Sequence, residues 1–232
     1  NRYSIHFSSS DFCYTIRDNK NNSIIILNES WNIWNRRVLD LELPNKKIPE
    51  GLVKIVNDEA KRTIEGLMLS HNGKVVNNPK SNYYARNKLY QLKIASEIGK
   101  VIIPPTIVSN DPEKIREFYT LNDGNICFKL QKGAIVDLND EKYTVMTNLI
   151  TEHDLIDDEL LRQCPHLFQK YFDKEYEVRI TAIDDKIIGT AIHSQESDLS
   201  KVDYRRYDFT VPYRNIQLPK PVEEFCYLML KH

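Results

Sequence analysis

Two lysines and one short strand carry the residue types that binding of phosphate requires. Lys129 stands inside the apolar run of residues 126–130, and Lys88 lies beside the apolar stripe of a predicted helix. A half-buried ammonium group needs an anion, and phosphate oxygens suit it. Glu177 and Arg179, two positions apart on a predicted strand, would point the same way at a separation of about 7 Å. The alternative for all four is a solvated surface role, which is commoner for lysines and for charged pairs on strands.

Residues 168–195 hold the Glu-x-Arg pair and predict a β-hairpin. Apolar and polar side chains alternate with a period of two over residues 176–182, so one side of this strand is expected to face a core and the other to make contacts. Asp184 and Asp185 interrupt the pattern, and residues 186–193 resume it, as a second strand would. The following segment, 194–208, is crowded with charges of both signs and is predicted to be a loop, where chemistry is often placed.

The remaining elements are predicted from periodicity and from capping residues. Strands are expected at residues 3–7, 12–16, 23–27, 31–37, 126–130 and 143–149. Helices are expected at residues 58–71, 81–98, 112–119, 154–163 and 219–230. The third is opened by Asp111 and has Pro112 in its first turn. Leu89, Leu92, Ala95 and Ile98 form the predicted buried stripe of the second helix, and Gly99 is its predicted C-terminal cap.

Composition excludes several classes of protein. The chain of 232 residues has 32 basic and 33 acidic side chains, so no overall field would attract nucleic acid or an anionic membrane, and an anion site must be local. The sequence has no apolar run of membrane-spanning length, and a cytoplasmic protein is expected. Its four cysteines are scattered, and it contains no HExxH, GxGxxG or GxxxxGK motif, which argues against disulfides, a zinc site, a dinucleotide fingerprint and a P-loop.

Four segments of the sequence share motifs with one enzyme family. The first two are NNPKSNYYARNKLYQLKIASEIGKVIIPPTIVSND at 77–111 and FQKYFDKEYEVRITAIDDKIIGTAIHSQ at 168–195. They resemble two regions of the ATP-grasp ligases, and among these of the peptide-crosslinking graspetide synthetases (the microviridin-type and grasp-with-spasm maturases). The regions are the Asn-Lys helix-to-strand segment and the adenine hinge with its Glu-x-Arg strand. VDYRRYD at 202–208 resembles the Val-Asp-Trp-Arg loop, with Tyr204 in place of tryptophan, and ESWNIWNRRV at 29–38 resembles the Trp-x-Arg-Arg element, which ends in Arg36 and Arg37.

The resemblance implies a role for each matching residue. Lys88 and Lys129 would contact the phosphates of ATP, and Glu177 would meet the ribose hydroxyls. Gln169, Lys170, Tyr171 and Phe172 would form the adenine hinge. Arg179 would lie at the transferring phosphate or acyl phosphate, and Asp203 and Arg205 would belong to a loop that closes over the peptide.

The same resemblance implies an α+β architecture, the ATP-grasp fold. An N-terminal α/β domain at 1–78 would precede two α+β lobes that clamp ATP, at 79–165 and 166–232. Residues 131–142 would cover the phosphates. The late strand that carries the magnesium ligands of the family has no counterpart in the sequence, so the C-terminal lobe is expected to be incomplete and no metal ligand is assigned.

The implied activity is ATP-dependent ligation with Mg²⁺, forming ADP and phosphate. Side-chain carboxylates of Asp or Glu in a ribosomally made precursor peptide, with leader and core, would be activated as acyl phosphates and joined to Thr or Ser hydroxyls or Lys amines. A homodimer is expected, with no nucleic-acid or membrane partner. Two alternatives remain: an amino-acid ligase that extends peptides or proteins with glutamate, and a non-catalytic module that binds nucleotide or leader peptide.

Overall fold

The computed structural model describes residues 2–36, 48–133, 135–138, 141–206 and 210–232. They divide into two compact units, Asn1–Ala85 and Arg86–His232. Several predictions fall on positions outside the described residues: Arg37 of the Trp-x-Arg-Arg element, positions 207 and 208 of the charged loop, and positions 134, 139 and 140 of the segment expected to cover the phosphates.

The first unit combines an antiparallel sheet with a β-α-β connection. Its sheet has the order β1-β2-β3, and a separate pair of parallel strands, β4 and β5, is joined through α1. The bounds are β1 Tyr3–Ser8, β2 Cys13–Asp18, β3 Ile24–Leu27, β4 Ile33–Trp34, α1 Glu50–Ser70, β5 Val75–Val76 and α2 Pro79–Ala85.

The second unit contains two larger sheets that hold the predicted site residues. A four-stranded sheet has the order β10-β7-β11-β6, and a three-stranded antiparallel sheet has the order β12-β13-β14. The bounds are α3 Lys88–Ile98, β6 Thr106–Ser109, α4 Pro112–Leu121, β7 Ile126–Lys129, β8 Ile135–Leu138, β9 Glu141–Thr144, β10 Asn148–Leu149, α5 Asp158–Arg162, β11 His166–Lys170, β12 Glu177–Ile183, β13 Lys186–Ile192, β14 Tyr213–Ile216 and α6 Lys220–Met229. Short 3₁₀ turns occur at Glu152–Leu155, Ser194–Glu196 and Tyr204–Arg206.

The main core of the second unit lies on one face of the four-stranded sheet. Ile126 on β7 and Phe168 on β11 pack there with Ile115 of α4 and Leu161 of α5. Because side chains alternate along a strand, Lys129 and Gln169 point to the opposite face. The core therefore fixes the sheet from one side and presents the candidate site on the other.

The hairpin of residues 168–195 is confirmed, but the side of β12 that was expected to face a core is only partly buried. Ile180 and Ala182 on that side are half-buried, while Arg179 and Thr181 on the other side are exposed. β12 and β13 pair in register from Glu177↔Ile192 to Ile183↔Lys186, and Asp184 turns the chain with a φ of 55°. Val178, expected to face a core, is 41% exposed. The buried residues of the hairpin lie on β13 instead, where Ala191 and Ile192 are almost fully enclosed, because only that central strand has a neighbour on both sides.

Three predicted helices differ from the observed ones. The predicted helix 154–163 is a 3₁₀ turn at Glu152–Leu155 followed by the five-residue helix α5. α1 begins at Glu50 rather than near residue 58, directly after Pro49, since the β-branched residues of its first turns cost only a few tenths of a kcal/mol each in a helix and packing overrides them. The predicted helix 81–98 is two helices, because Asn87 adopts an extended conformation and its side chain accepts a hydrogen bond from Tyr90 N at 3.0 Å. Such N-capping starts a new helix.

The C-terminal cap of α3 is as predicted, whereas its buried stripe and the strand 143–149 differ from the prediction. Gly99 caps α3 with a φ of 65°, as predicted. The buried residue of that helix is Ile94, whereas Leu89 of the predicted stripe is 47% exposed. The predicted strand 143–149 is divided between β9 and β10. Within the described ranges, no helix has the length and apolar character needed to cross a bilayer.

Candidate functional site

A cavity of about 860 Å³ lies within the second unit, on the face of the four-stranded sheet opposite the main core. Its walls come from α3, β7, β11, the segment after β11, and the charged loop before β14. Nine of the ten predicted site residues line it: Lys88, Lys129, Gln169, Lys170, Tyr171, Phe172, Glu177, Asp203 and Arg205. The volume lies in the range of pockets that enclose nucleotide-sized ligands.

Three cations converge on one part of this cavity. Lys88 begins α3 and donates a hydrogen bond to the carbonyl oxygen of Leu130, just after β7. Burial first, and then the nearby charges of Lys129 and Arg205, lower the pKa of Lys88 from its ordinary value. Like charges that disfavour one another in this way create a site where an anion is stabilised.

Gln169 links Lys129 to the neighbouring strand. Its Oε1 accepts a hydrogen bond from Lys129 Nζ at 2.6 Å, and its Nε2 donates to Thr106 Oγ1 at 2.9 Å. These contacts follow from strand order, because β11 lies between β7 and β6. The side chain that was predicted to face adenine thus orients the ammonium group of Lys129.

The main chain after Gln169 is held by backbone hydrogen bonds from both sides. Lys170 N donates to Pro105 O at 2.9 Å, and Tyr171 N donates to Asn125 O at 2.8 Å. Phe172 is 46% exposed, and the Lys170 ammonium lies 5.7 Å from the centre of its ring. With Ile102, which is 92% exposed, Phe172 gives this end of the cavity an apolar lining suited to a planar ring.

Glu177 is held by two donors at the start of β12. Its Oε1 accepts from Lys174 Nζ at 2.7 Å and from Ser194 Oγ at 3.1 Å. Ser194 is fully buried, and the Lys174 and Glu177 side chains are 21% and 22% exposed. A half-buried, hydrogen-bonded carboxylate is thereby fixed in the cavity wall, where it can accept hydrogen bonds from hydroxyl groups.

Asp203 organises the charged loop. This carboxylate is 4% exposed and accepts hydrogen bonds from Thr147 N at 3.0 Å and Arg205 N at 3.1 Å, besides its ion pair with the Arg205 guanidinium. Burial opposes ionisation, but these hydrogen bonds outweigh it and hold the pKa of Asp203 well below its usual range. Asp203 therefore ties the loop to the segment before β10 and orients Arg205 toward the cavity.

Arg179 is the one predicted site residue placed away from the cavity lining. It follows Glu177 along the same face of β12, is exposed, and stands opposite Thr190 of β13. Within the described part of the chain, no group of three or more His, Cys, Asp or Glu residues has the geometry of a metal site, and Asp203 is engaged by Arg205 and Thr147. The described residues do not form a magnesium site.

Lys174 and Thr147 line this cavity and hold its wall together, but sequence reasoning did not identify them. Lys174 contacts both Glu177 and the carbonyl oxygen of Val202, and its only sequence signal is the Lys-x-x-Glu spacing. Thr147 is buried and supplies a backbone donor to Asp203 and a carbonyl to Arg206. Nothing in the local sequence marks Thr147, because its partners lie more than fifty positions away.

Comparison with solved structures places this fold among the ATP-grasp ligases. A RiPP-associated ATP-grasp ligase from Chryseobacterium gregarium, solved with ADP and a leader and core peptide, is 25% identical over 99% of this chain and 68% of its own, with a TM-score of 0.84. Macrocyclase MdnC from Microcystis aeruginosa MRC, bound with precursor peptide MdnA, is 24% identical over 99% and 70%, with a TM-score of 0.85. ATP-grasp ligase PsnB, solved with minimal precursor, Mg and ADP, is 18% identical over 99% and 68%, with a TM-score of 0.68.

These likenesses confirm the α+β ATP-grasp fold and the resemblance to peptide ligases that the sequence motifs indicated. No protein-family model matches the sequence, and no curated protein matches it significantly. The chain spans about two thirds of the length of the solved ligases.

Proposed function

We propose that this chain, which has the fold of the RiPP-associated ATP-grasp ligases, is an ATP-dependent ligase acting on a ribosomally made precursor peptide. The observation that carries the proposal is one cavity that combines three cations, Lys88, Lys129 and Arg205, with the fixed carboxylate of Glu177 and an apolar end. A nucleoside triphosphate has the complementary parts: an anionic tail, a ribose with hydroxyl donors, and a planar base. In the proposed arrangement these parts bind along the cavity in that order.

The proposed reaction follows from the chemistry of carboxylates. A side-chain carboxylate of Asp or Glu cannot be attacked by a hydroxyl or amine until one of its oxygens becomes a leaving group. Transfer of the γ-phosphoryl group of ATP to that oxygen gives an acyl phosphate and ADP. Attack by a Thr or Ser hydroxyl, or by a Lys amine, then forms an ester or amide and releases phosphate.

The cations have a defined part in this reaction. Phosphoryl transfer to a carboxylate brings two anions together, so positive charge must be in place before the transition state forms. Lys88, Lys129 and Arg205 supply it in the cavity, and Arg179 lies beyond Glu177 on the open face of β12, where we place the carboxylate end of the peptide. Mg²⁺ accompanies ATP in the proposal, as it accompanies ADP in PsnB.

Further parts of the proposal concern partners and location. We place the protein in the cytoplasm as a homodimer that recognises the leader of its precursor and binds neither nucleic acid nor membrane. Its balanced charge gives no overall attraction to nucleic acid or to an anionic membrane. Its four unpaired cysteines suit a reducing compartment. The homodimer and the leader are proposed from the resemblance to the graspetide synthetases.

Mass spectrometry tests the proposal. The protein is incubated with ATP, Mg²⁺ and candidate precursor peptides, and each crosslink should lower the peptide mass by one water while ADP accumulates. Lys129→Ala serves as the impaired control, assayed at an ATP concentration too low to saturate it. A mass gain that requires free glutamate would identify an amino-acid ligase instead, and ATP binding without ADP release or any change in peptide mass would identify a non-catalytic binding module.

A further inference from the structure

Lys174 lies in the cavity wall where the hinge after β11, the start of β12 and the charged loop meet. It lies between β11 and β12, and its ammonium donates to Glu177 Oε1 at 2.7 Å and to Val202 O at 3.1 Å. The same ammonium is 5.7 Å from the centre of the Tyr171 ring. One cation therefore contacts the hinge, the fixed carboxylate and the charged loop.

The geometry at Glu177 shows what this contact achieves. Lys174 and Ser194 both donate to the same oxygen, Oε1, and within the described residues no hydrogen bond reaches Oε2. Two donors on one oxygen fix the rotation of a carboxylate. Because Glu177 lines the cavity, its second oxygen is left available to donors of a bound ligand, such as ribose hydroxyls.

The second contact of Lys174 is with the charged loop, at the residue that precedes the buried Asp203. Val202 O is bound by Lys174, and the next residue is Asp203, which orients Arg205. Lys201 O, one position earlier, accepts from Gln195 Nε2 at 3.0 Å, and Ser200 Oγ donates to Ser194 O at 2.8 Å. These two contacts fold the loop back on its own first residues, and the hydrogen bond from Lys174 to Val202 O attaches it to the segment between β11 and β12.

We infer that Lys174 is a positioning residue that sets the orientation of Glu177 for ribose and couples occupancy of the ribose site to the loop carrying Asp203 and Arg205. The inference rests on the proposed function, because it takes the ligand of the cavity to be a nucleotide. Neither the sequence motifs nor the proposed reaction assigns a role to Lys174 or links the ribose site to this loop. If Lys174 has this role, the cavity should select nucleotides that carry ribose hydroxyls, and the loop should become ordered when such a nucleotide binds.

Calorimetric binding of ATP and of 2′,3′-dideoxy-ATP to the full chain tests the first part. A hydrogen bond to a charged acceptor corresponds to roughly tenfold or more in affinity, so the wild type should prefer ATP by at least about that factor. Lys174→Met should weaken ATP roughly tenfold and dideoxy-ATP less than about twofold, which brings the ratio close to one. Lys174→Arg, which keeps a cationic donor, should retain most of the preference.

Lys186→Met is the matched control, because Lys186 is an exposed lysine at the start of β13, outside the cavity lining. It should leave both affinities unchanged. Equal weakening of both nucleotides by Lys174→Met, or an unchanged ratio, would overturn the inference, since a residue that merely shapes the cavity would act on both alike. If the wild type binds both nucleotides with equal affinity, the inference about Lys174 is wrong but the proposed function stands. If the wild type binds neither nucleotide, both the inference and the proposed function are wrong.

Hydrogen exchange tests the coupling. ATP should slow amide exchange over residues 198–206 in the wild type and in Lys186→Met. In Lys174→Met at saturating ATP, that added protection should be lost. Full protection in saturated Lys174→Met would overturn the coupling.

Discussion

Asp203→Asn separates the role of a buried carboxylate from that of an ordinary surface acid. Asp203 is 4% exposed and receives two backbone N–H bonds and the guanidinium of Arg205. Asparagine has the same shape but no charge, and its NH₂ group would face one of these donors. The replacement should therefore leave a buried donor poorly satisfied, which is costlier than losing a bond at the surface.

The magnitude can be bounded from the exposure of the two partners. Removing one member of a fully buried ion pair costs about 3–5 kcal/mol, but the Arg205 side chain is 53% exposed, so solvent screens the pair. Most of the loss then comes from the two backbone donors, and about 2 kcal/mol is expected. For the second unit, Arg86–His232, a loss of about 2 kcal/mol corresponds to a fall in Tm of about 4–8 °C.

The pH dependence gives a second signature. Because the folded state holds the pKa of Asp203 below that of the unfolded chain, its stabilisation is fully present above about pH 4 and is lost as the pH falls through the folded pKa. Each pH unit below the unfolded pKa removes about 1.4 kcal/mol. The difference between wild type and Asp203→Asn should thus be about 1 kcal/mol smaller at pH 3 than at pH 6.

Urea denaturation followed by far-UV circular dichroism measures both effects. Tryptophan fluorescence is the wrong probe, because Trp31 and Trp34 both lie in the other unit. Asp158→Asn is the control. Asp158 also pairs with an arginine, but its side chain is 48% exposed, so this variant should be destabilised less than Asp203→Asn. Two results would refute the role of Asp203 as a stabilising buried carboxylate. One is an Asp203→Asn variant that is no less stable than Asp158→Asn, and the other is a loss of stability that is the same at pH 3 and pH 6.

The remaining predictions concern nucleotide binding and packing. Lys129→Ala should weaken ATP binding about tenfold, because it removes a cation held in the cavity by Gln169, and unchanged affinity in calorimetry would contradict its assignment. Arg179→Ala should lower kcat more than it weakens ATP binding, since Arg179 lies outside the cavity lining, and steady-state kinetics with calorimetry would show the split. Gly189→Ala should destabilise the protein by about 1–3 kcal/mol, because its Cβ would stand 2.6 Å from Leu218 Cδ2, whereas Gly66→Ala in α1, with open space around it, should not destabilise it in the same denaturation assay.

Local signals predicted the elements whose pattern lies within a few residues. The β12–β13 hairpin, the αL cap at Gly99 and the helix that begins at Pro112 after the N-cap Asp111 were all predicted, because turn and capping chemistry acts over one or two turns of chain. Asn87 carried an equally local N-cap signal, which the apolar periodicity of residues 81–98 concealed. The predicted core side of β12 is buried only in part, at Ile180 and Ala182 but not at Val178, since burial depends on which neighbours a strand acquires.

The sequence by itself determined which residue types were available for the cavity and that they belong to an ATP-grasp arrangement. Only the tertiary structure decided which of them meet: Lys129 is joined to Gln169 across 40 positions and Thr147 to Asp203 across 56, and Arg179 is left outside the cavity lining. Periodicity is set by backbone geometry over a few residues. Contacts between distant segments are set by sheet order and by the shared burial of a core, and neither is written in any single stretch of the chain.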